Sequence, residues 1–203
     1  MKIIIAGNEA AHNECMDKLG PEHEYQTMNI LSDGTAADLI VDFTDERPDQ
    51  KWSAYAGLQT PAFINSVSTT LNELNAKVNF NASVFGFCGW PGFFNRTPIE
   101  VSLLNTSHQP VLNQLAKQLN IETIIVKDQP GMIAPRVVAM IINEALETLQ
   151  QGVASREDID LSMKLGTNYP YGPFEWADKI GLQRVRNLLI ALSKTDSRFQ
   201  PNF

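Results

Sequence analysis

The 203-residue chain has few of the residues that mark metal-binding, disulfide-rich or polyanion-binding proteins. Its two cysteines and three histidines include no pair at metal-ligand spacing, so we expect neither a metal site nor a disulfide framework. Sixteen basic against 23 acidic residues give a formal charge of −7, which argues against nucleic acid or an anionic membrane as the main partner. The apolar run at residues 3–7 is too short for a signal peptide or a membrane span, so we expect a cytoplasmic protein.

The composition is that of an ordinary globular protein, with 43% hydrophobic and 19% charged residues. Over residues 1–127, β-branched runs alternate with helix-like segments, which predicts an α/β domain with a doubly wound parallel sheet. The predicted strands are residues 2–6, 23–29, 37–45, 61–67, 82–88, 100–105 and 122–128. Residues 128–203 carry only helical patterns after Met132. We expect this small all-helical domain to dock on the first domain or on a second subunit, because it is too small to bury much alone.

The turn after the first predicted strand is where a dinucleotide's pyrophosphate would meet closely approaching backbone N–H groups. Gly7 can be the first glycine of a G-x-G-x-x-G motif, but the other two glycine positions hold Glu9 and His12. Asn29 stands where a ribose-binding acid is expected. We interpret the segment as an ordinary strand-to-helix turn, with Gly7 a weak cofactor-binding candidate. Nucleotide binding through other contacts stays open.

The segment SVFGFCGWPGFFNRTPIEV, residues 83–101, is too irregular for a core strand and too apolar for an ordinary surface loop. It combines three glycines and four phenylalanines with one tryptophan and one cysteine. This composition raises the question of whether the segment lines a site.

Residues 128–182 carry the most specific pattern in the chain. They contain DQPGMIAPR, NEA, GVASREDIDLSMKLG and YPYGPFEWAD. These stretches resemble the C-terminal domain of 3-hydroxyacyl-CoA dehydrogenases, which reads like D-T-P-G-F-I-x-N-R, N-E-A, G-x-A-S-x-E-D-I-D-x-A-M-x-L-G and Y-P-M-G-P-F-E-L-x-D. Residues 65–74 resemble the family's N-T-S-S-L-x-I-T-E-I, and residues 37–46 its A-D-x-V-I-E-A-V-x-E strand. The family's third βα unit and helical hairpin have no room here, so the resemblance implies a shortened Rossmann-like domain.

The resemblance also implies a location for the chemistry, which in the family is hydride transfer from the 3-hydroxyl carbon of an acyl-CoA to NAD. A histidine acts as general base, and a glutamate twelve residues later orients it. Cys88 and Glu100 occupy these two positions. A cysteine could be a base only as a thiolate, and an adjacent carboxylate would raise the pKa of the thiol. The alternatives are a buried hydrophobic side chain for Cys88 and a surface or capping carboxylate for Glu100.

Further candidate residues follow from the same resemblance. Asn65 and Ser68 match the family's N-T-S-S, although Ser68 is equally well explained as a turn or N-cap residue. Pro135 replaces a substrate-contacting asparagine of the family and cannot donate a side-chain hydrogen bond. The residues expected to line a ligand cleft between the two domains are Phe87, Trp90, Phe93, Phe94 and Pro135.

We therefore expect a divergent relative without ordinary dehydrogenase activity and without a cofactor, which can still bind an acyl-CoA or another small ligand. The resemblance implies a homodimer formed through the helical domain. One alternative is a working NAD-dependent dehydrogenase with a rearranged site, the only case in which NAD is expected. Two others are a regulatory partner of a true dehydrogenase and thiol chemistry at Cys88.

Overall fold

The structure is a computed structural model that describes residues 1–29, 31, 36–45 and 52–203. It divides into two compact units, Met1–Met132 and Ile133–Phe203. The last residue of the 37–46 motif, Glu46, lies outside the described residues. None of the described helices is long and apolar enough to cross a membrane.

A seven-stranded sheet organises the first unit, in the order β2-β1-β3-β4-β5-β6-β7. Its strands are β1 (Lys2–Ala6), β2 (Glu24–Met28), β3 (Leu39–Asp42), β4 (Ala62–Asn65), β5 (Val84–Phe87), β6 (Ile99–Leu103) and β7 (Thr123–Val126). All seven predicted strands are therefore present, and β6 begins one residue earlier than predicted. The Rossmann-like α/β fold expected from the sequence is confirmed.

One strand pair departs from the predicted parallel arrangement. Strands β1 to β5 pair in parallel, but β6 is antiparallel to β5, and β7 is parallel to β6. The reason lies in the connection over residues 88–98, which contains no helix. Parallel neighbours need a crossover that carries the chain back across the sheet, whereas a simple loop reverses its direction.

Helices cover both faces of the sheet. They are α1 (Glu9–Leu19), α2 (Trp52–Ala56), α3 (Leu71–Val78) and α4 (Gln109–Gln118). Apolar residues of α1 and α4 share one buried cluster with alternate residues of the strands, and those of α2 and α3 share the cluster on the other face. Every residue of β3, β4 and β5 is buried, as expected for strands covered on both faces.

The second unit is helical throughout. Its helices are α5 (Ala134–Gln150), α6 (Arg156–Thr167), α7 (Pro173–Ile180) and α8 (Leu182–Ser193). As the pattern SRED predicts, Ser155 is the N-cap of α6, and its side chain accepts a hydrogen bond from the backbone N–H of Asp158. Ala145, Ile159 and Phe174 bring α5, α6 and α7 together in one apolar cluster.

Asp160 connects two stretches of the family-like pattern, GVASREDIDLSMKLG and YPYGPFEWAD. Its buried carboxylate accepts a hydrogen bond of 2.8 Å from the backbone N–H of Phe174 in the first turn of α7. A Cβ atom added to Gly172 would lie 2.3 Å from Asp160 Oδ1, so only glycine fits beside this carboxylate. Glu175 completes the cap by accepting from the Gly172 N–H at 2.9 Å. The pattern therefore specifies how α6 joins α7.

Candidate functional site

The candidate site lies at the edge of the sheet where β1 to β5 end. Ligands of doubly wound sheets bind outside the carboxyl ends of the strands. The described segments that leave this edge are the turn at residues 7–8, residues 43–45 after β3, residues 66–70 after β4 and the loop at residues 88–98 after β5. Because β6 is antiparallel, its first residues lie at the same edge.

The strand register brings together the two residues that the resemblance places at the catalytic positions. Strands β5 and β6 pair Phe85 with Leu103 and Gly86 with Ser102. Continuing this antiparallel register by two residues puts Cys88 opposite Glu100. Directly opposed residues have Cβ atoms about 4.5–5.5 Å apart. The spacing of twelve residues in the sequence therefore corresponds to a cross-strand pair.

The environment of Cys88 keeps its thiol protonated. Burial is the largest effect and raises the pKa of Cys88 well above its usual value. The carboxylates of Glu100 and Asp45 raise this pKa further, while the backbone N–H of Trp90 and the guanidinium of Arg96 oppose them. At 6% exposure, the Cys88 side chain is also poorly accessible to solvent. Both cysteines of the chain are free and buried.

Asn65 positions the backbone around this pair. Its side-chain oxygen accepts a 3.0 Å hydrogen bond from the backbone N–H of Gly89, and its amide nitrogen donates at 3.0 Å to Asp45 Oδ1. A Cβ atom on Gly89 would lie 2.8 Å from Asn65 Cγ, so a side chain there would displace the asparagine. Asn65 thus links the segments that follow β3 and β5, and it is buried in doing so.

Ser68 lies half-buried in the bend before α3. The N-cap of that helix is Thr70, whose hydroxyl accepts from the Glu73 N–H at 3.1 Å, while Glu73 accepts from the Thr70 N–H at 2.8 Å. Thr70 is therefore the N-cap residue of α3, and the explanation of Ser68 as an N-cap is wrong.

The aromatic residues predicted to line a ligand cleft are all buried, and two of them belong to the core of the first unit. Phe87 and Phe94 form an edge-to-face cluster with Phe43, with ring centroids 5.1, 5.3 and 5.5 Å apart. Trp90 packs edge-to-face on Phe93 at 5.5 Å.

A charged side chain packs on this aromatic group. The Arg96 guanidinium lies 4.1 Å from the centre of the Phe93 ring. Pro135 is buried in the first turn of α5, in the second unit.

Gly7 lies at the point where the strand order reverses, between β1 and β3. A Cβ atom there would lie 2.8 Å from Ala11 Cβ and 3.4 Å from Phe43 Cβ, so the glycine allows α1 and residue 43 to pack close to β1. The next residue, Asn8, uses its side chain to accept from the Ala11 N–H at 3.1 Å. His12 Nδ1 lies 2.7 Å from the hydroxyl of Thr27 on β2. These contacts are those of the strand-to-helix turn predicted from the sequence.

Two carboxylates near the site were missed by the sequence reasoning. Asp128 accepts from the backbone N–H groups of Leu71 and Asn72, at 2.8 and 2.9 Å, and so caps α3 from a distant part of the chain. Its place in the family-like D-x-P-G stretch was the only signal available. Glu14, in the middle of α1, holds the loop after β5 and had no signal at all.

An open groove of about 730 Å³ lies within the second unit. Its walls come mainly from α5 and α6 and are largely apolar, and Val137 on its rim is 50% exposed. Representative lining residues are Arg136, Val137, Met140, Ile141, Ile159 and Met163.

Comparison with known proteins finds a matching family model and several similar sequences. A family model described as "3-hydroxyacyl-CoA dehydrogenase, C-terminal domain" matches residues 131–202. The 3-hydroxyadipyl-CoA dehydrogenase of Escherichia coli (strain K12) is 53% identical over 78 residues, which cover 37% of this chain and 16% of that protein. The mitochondrial hydroxyacyl-coenzyme A dehydrogenase of Rattus norvegicus is 35% identical over 206 residues, which cover 91% of this chain and 65% of that protein.

The fold agrees with these relatives. The crystal structure of (S)-3-hydroxybutyryl-CoA dehydrogenase from Ralstonia eutropha superposes with a TM-score of 0.70 at 23% identity, covering 98% of this chain and 89% of that one. The chain spans less than two thirds of the length of the two curated relatives above. From the family match, the sequence identity and the fold together, the chain is a member of the 3-hydroxyacyl-CoA dehydrogenase family.

Proposed function

We propose that this family member has lost hydride transfer and retains the binding of an acyl thioester, or a similar small ligand, at the carboxyl edge of its sheet. The observation that carries the proposal is the cross-strand pair of Cys88 and Glu100. A general base must lose its proton near the working pH. Burial raises the pKa of the Cys88 thiol, so the group at the histidine position keeps its proton at neutral pH.

The absence of a nicotinamide cofactor is part of the proposal. A pyrophosphate needs backbone N–H groups that it can approach closely at the start of α1. The carboxylate of Glu9 opposes such an anion, and the Asn8 side chain already caps this end of the helix. Next to Gly7, Phe43 packs against Phe94 with ring centroids 5.5 Å apart. These residues do not fit a dinucleotide.

An acyl ligand is favoured by the hydrogen-bonding groups that remain. The indole Nε1 of Trp90 is buried and has no hydrogen-bond partner in the described part of the chain. An indole nitrogen can only donate, so it suits an acceptor such as the carbonyl oxygen of a thioester. A buried donor without a partner costs about 1–3 kcal/mol, which a ligand that accepts its hydrogen bond would recover. Arg96 supplies positive charge near Cys88.

The proposal is tested by two titrations of the purified chain. NADH fluorescence should not change at millimolar cofactor, whereas 3-hydroxybutyryl-CoA should release measurable heat on binding. Replacing the missing base with Cys88→His should not produce NAD reduction, because the cofactor does not bind. Thioester binding by Trp90→Phe should be weaker, since this variant keeps the ring and removes the donor.

The alternative is an active NAD-dependent dehydrogenase with a rearranged site, which the retained Glu100 keeps open. NADH binding by the unmodified chain, together with turnover of the hydroxyacyl thioester, would establish that alternative and refute our proposal. If neither NADH nor 3-hydroxybutyryl-CoA binds, both the proposed thioester binding and the alternative dehydrogenase activity are refuted. A cytoplasmic location stays a prediction from the sequence.

We also propose that two copies of the chain associate through the helical unit. The apolar groove between α5 and α6 supports this, because monomeric proteins seldom leave large contiguous apolar surfaces exposed. Val137, which lines the groove, leaves half of its apolar side chain exposed. The occupant that we propose for the groove is the same surface of a second copy, as in twofold dimers generally.

A further inference from the structure

The loop that follows β5 is attached to α1 through a single buried carboxylate. Glu14 is 8% exposed. Its Oε2 accepts from the backbone N–H of Gly92 at 2.9 Å, and its Oε1 accepts from those of Phe94 and Asn95 at 2.8 and 3.2 Å. One side chain thus satisfies three donors from residues 78 to 81 positions later in the chain.

A second side chain of the same helix continues the attachment. Lys18, one turn after Glu14, donates from Nζ to the carbonyl oxygen of Arg96 at 2.7 Å and to the hydroxyl of Thr97 at 2.8 Å. A negative side chain on α1 therefore meets backbone donors of the loop, and a positive one meets acceptors. Together they hold residues 92–97.

The loop needs such partners because it forms neither a helix nor a strand. Backbone N–H groups that are buried without a partner are costly, and those of residues 92, 94 and 95 converge on one point. A carboxylate offers two acceptor oxygens, and its charge makes these bonds roughly twice as strong as neutral ones. Gly92 has a φ of +80°, a conformation that glycine adopts without strain.

The same loop forms the surroundings of Cys88. The backbone N–H of Trp90 is hydrogen-bonded to the thiol, and the Arg96 guanidinium interacts with it electrostatically. Arg96 is held at both ends, because Lys18 binds its carbonyl oxygen and its guanidinium lies over Phe93. The conformation that α1 imposes on the loop therefore determines which groups face the thiol.

We propose that Glu14 is the positioning residue of the candidate site: its carboxylate fixes the loop after β5 at residues 92–95 and so keeps Trp90 and Arg96 against Cys88. The assignment uses the site described under the proposed function, but it does not depend on which ligand binds there. In Glu14→Gln one oxygen becomes an amide NH₂, which cannot accept. At least one loop N–H then faces another donor, and the loop should open.

The test measures the reactivity of Cys88 in a Cys15→Ala background, where it is the only thiol. Glu14→Gln should raise the alkylation rate with iodoacetamide at least tenfold. Amide hydrogen exchange should accelerate at residues 92, 94 and 95, while the strands of the sheet remain protected. Asp17→Asn is the matched control, because it removes the same charge from an exposed position of the same helix and should change neither measurement.

Two results would overturn the proposal. One is a Glu14→Gln variant that reacts and exchanges like the Asp17→Asn control. The other is an equal acceleration of exchange throughout the first unit, which would show that Glu14 only contributes to overall stability. If Glu14→Gln does not fold, Glu14→Asp decides, because it keeps the charge but draws the carboxylate back from the N–H groups of Gly92, Phe94 and Asn95 by one methylene. Faster alkylation of Cys88 in that variant supports the proposal, and an unchanged rate overturns it. No measurement uses NADH or a thioester, so failure of the proposed function would be seen separately.

Discussion

Replacing Asp160 with alanine should destabilise the protein more than breaking an ion pair in the same helical unit. The Asp160 carboxylate is 9% exposed and is an N-terminal cap for α7, through its 2.8 Å bond to the Phe174 N–H. Losing a cap costs about 1 kcal/mol, and leaving a buried donor without its partner costs about 1–3 kcal/mol. These two descriptions overlap, so we expect a total loss of roughly 2 kcal/mol.

The matched control is Asp178→Ala. Asp178 forms a shorter contact, 2.5 Å to the Arg156 guanidinium, but both side chains are substantially exposed. Exposed ion pairs contribute about 0–1 kcal/mol, because water screens the charges and both side chains lose freedom. If distance alone determined the stabilisation, the shorter Asp178 contact would contribute more than the Asp160 contact. The comparison therefore tests whether burial or distance determines how much each contact stabilises the fold.

The assay is urea denaturation followed by far-UV circular dichroism, supported by thermal melting. For a chain of this size, a loss of about 2 kcal/mol lowers the melting temperature by roughly 4–8 °C. Asp160→Asn keeps an acceptor oxygen and should lose less than Asp160→Ala, since the missing charge interacts with the helix terminus by only about 0.3–1 kcal/mol. A loss in Asp160→Ala no larger than that in Asp178→Ala would refute the reasoning.

Two further predictions concern pH and assembly. Burial raises the pKa of both Cys15 and Cys88 above the value of about 8.5 expected in the unfolded chain. Their contribution to stability should therefore be fully present below about pH 8.5 and should fall as the pH rises toward the folded-state pKa, because the unfolded chain loses these protons first. Urea denaturation at pH 7–9.5 checks this, and an equal slope in a variant with both cysteines replaced by alanine would contradict it. In light scattering, Val137→Asp should shift the mass from dimer to monomer, whereas Ile190→Asp, outside the groove lining, should not. An unmodified chain that is already monomeric would exclude the dimer.

The fold could be predicted largely because its signals are local. The buried strands are short apolar runs, and the pattern SRED marks where α6 begins. The antiparallel β5–β6 pair was mispredicted because strand propensity carries no direction. The missing helix between residues 88 and 98 was the usable signal, since a parallel crossover over so short a stretch would be unusual.

The candidate site was predicted only in part, for a different reason. Cys88 and Glu100 could be placed because the resemblance supplied their spacing, and Asn65 because it supplied the motif. Glu14 and Asp128 could not be predicted, because their partners are backbone N–H groups far along the chain. Nearly every residue type carries the same backbone N–H group, so the sequence does not show which residue will donate. Phe87 and Phe94 illustrate the opposite difficulty. Their composition suggested a ligand surface, but a cluster of aromatic rings can equally well fill its own core.

The pairing of β5 with β6 has a consequence for how such a site can change. Continued by two residues, the register of β5 and β6 places positions 88 and 100 opposite each other, so their proximity follows from the course of the main chain and not from the side chains that they carry. A substitution at either position can therefore replace the chemistry without any rearrangement of the main chain. The same backbone can hold an imidazole beside a carboxylate in one protein and a thiol beside a carboxylate in another. For protein engineering, these two positions form a ready pair at which new catalytic groups can be introduced by point substitution alone.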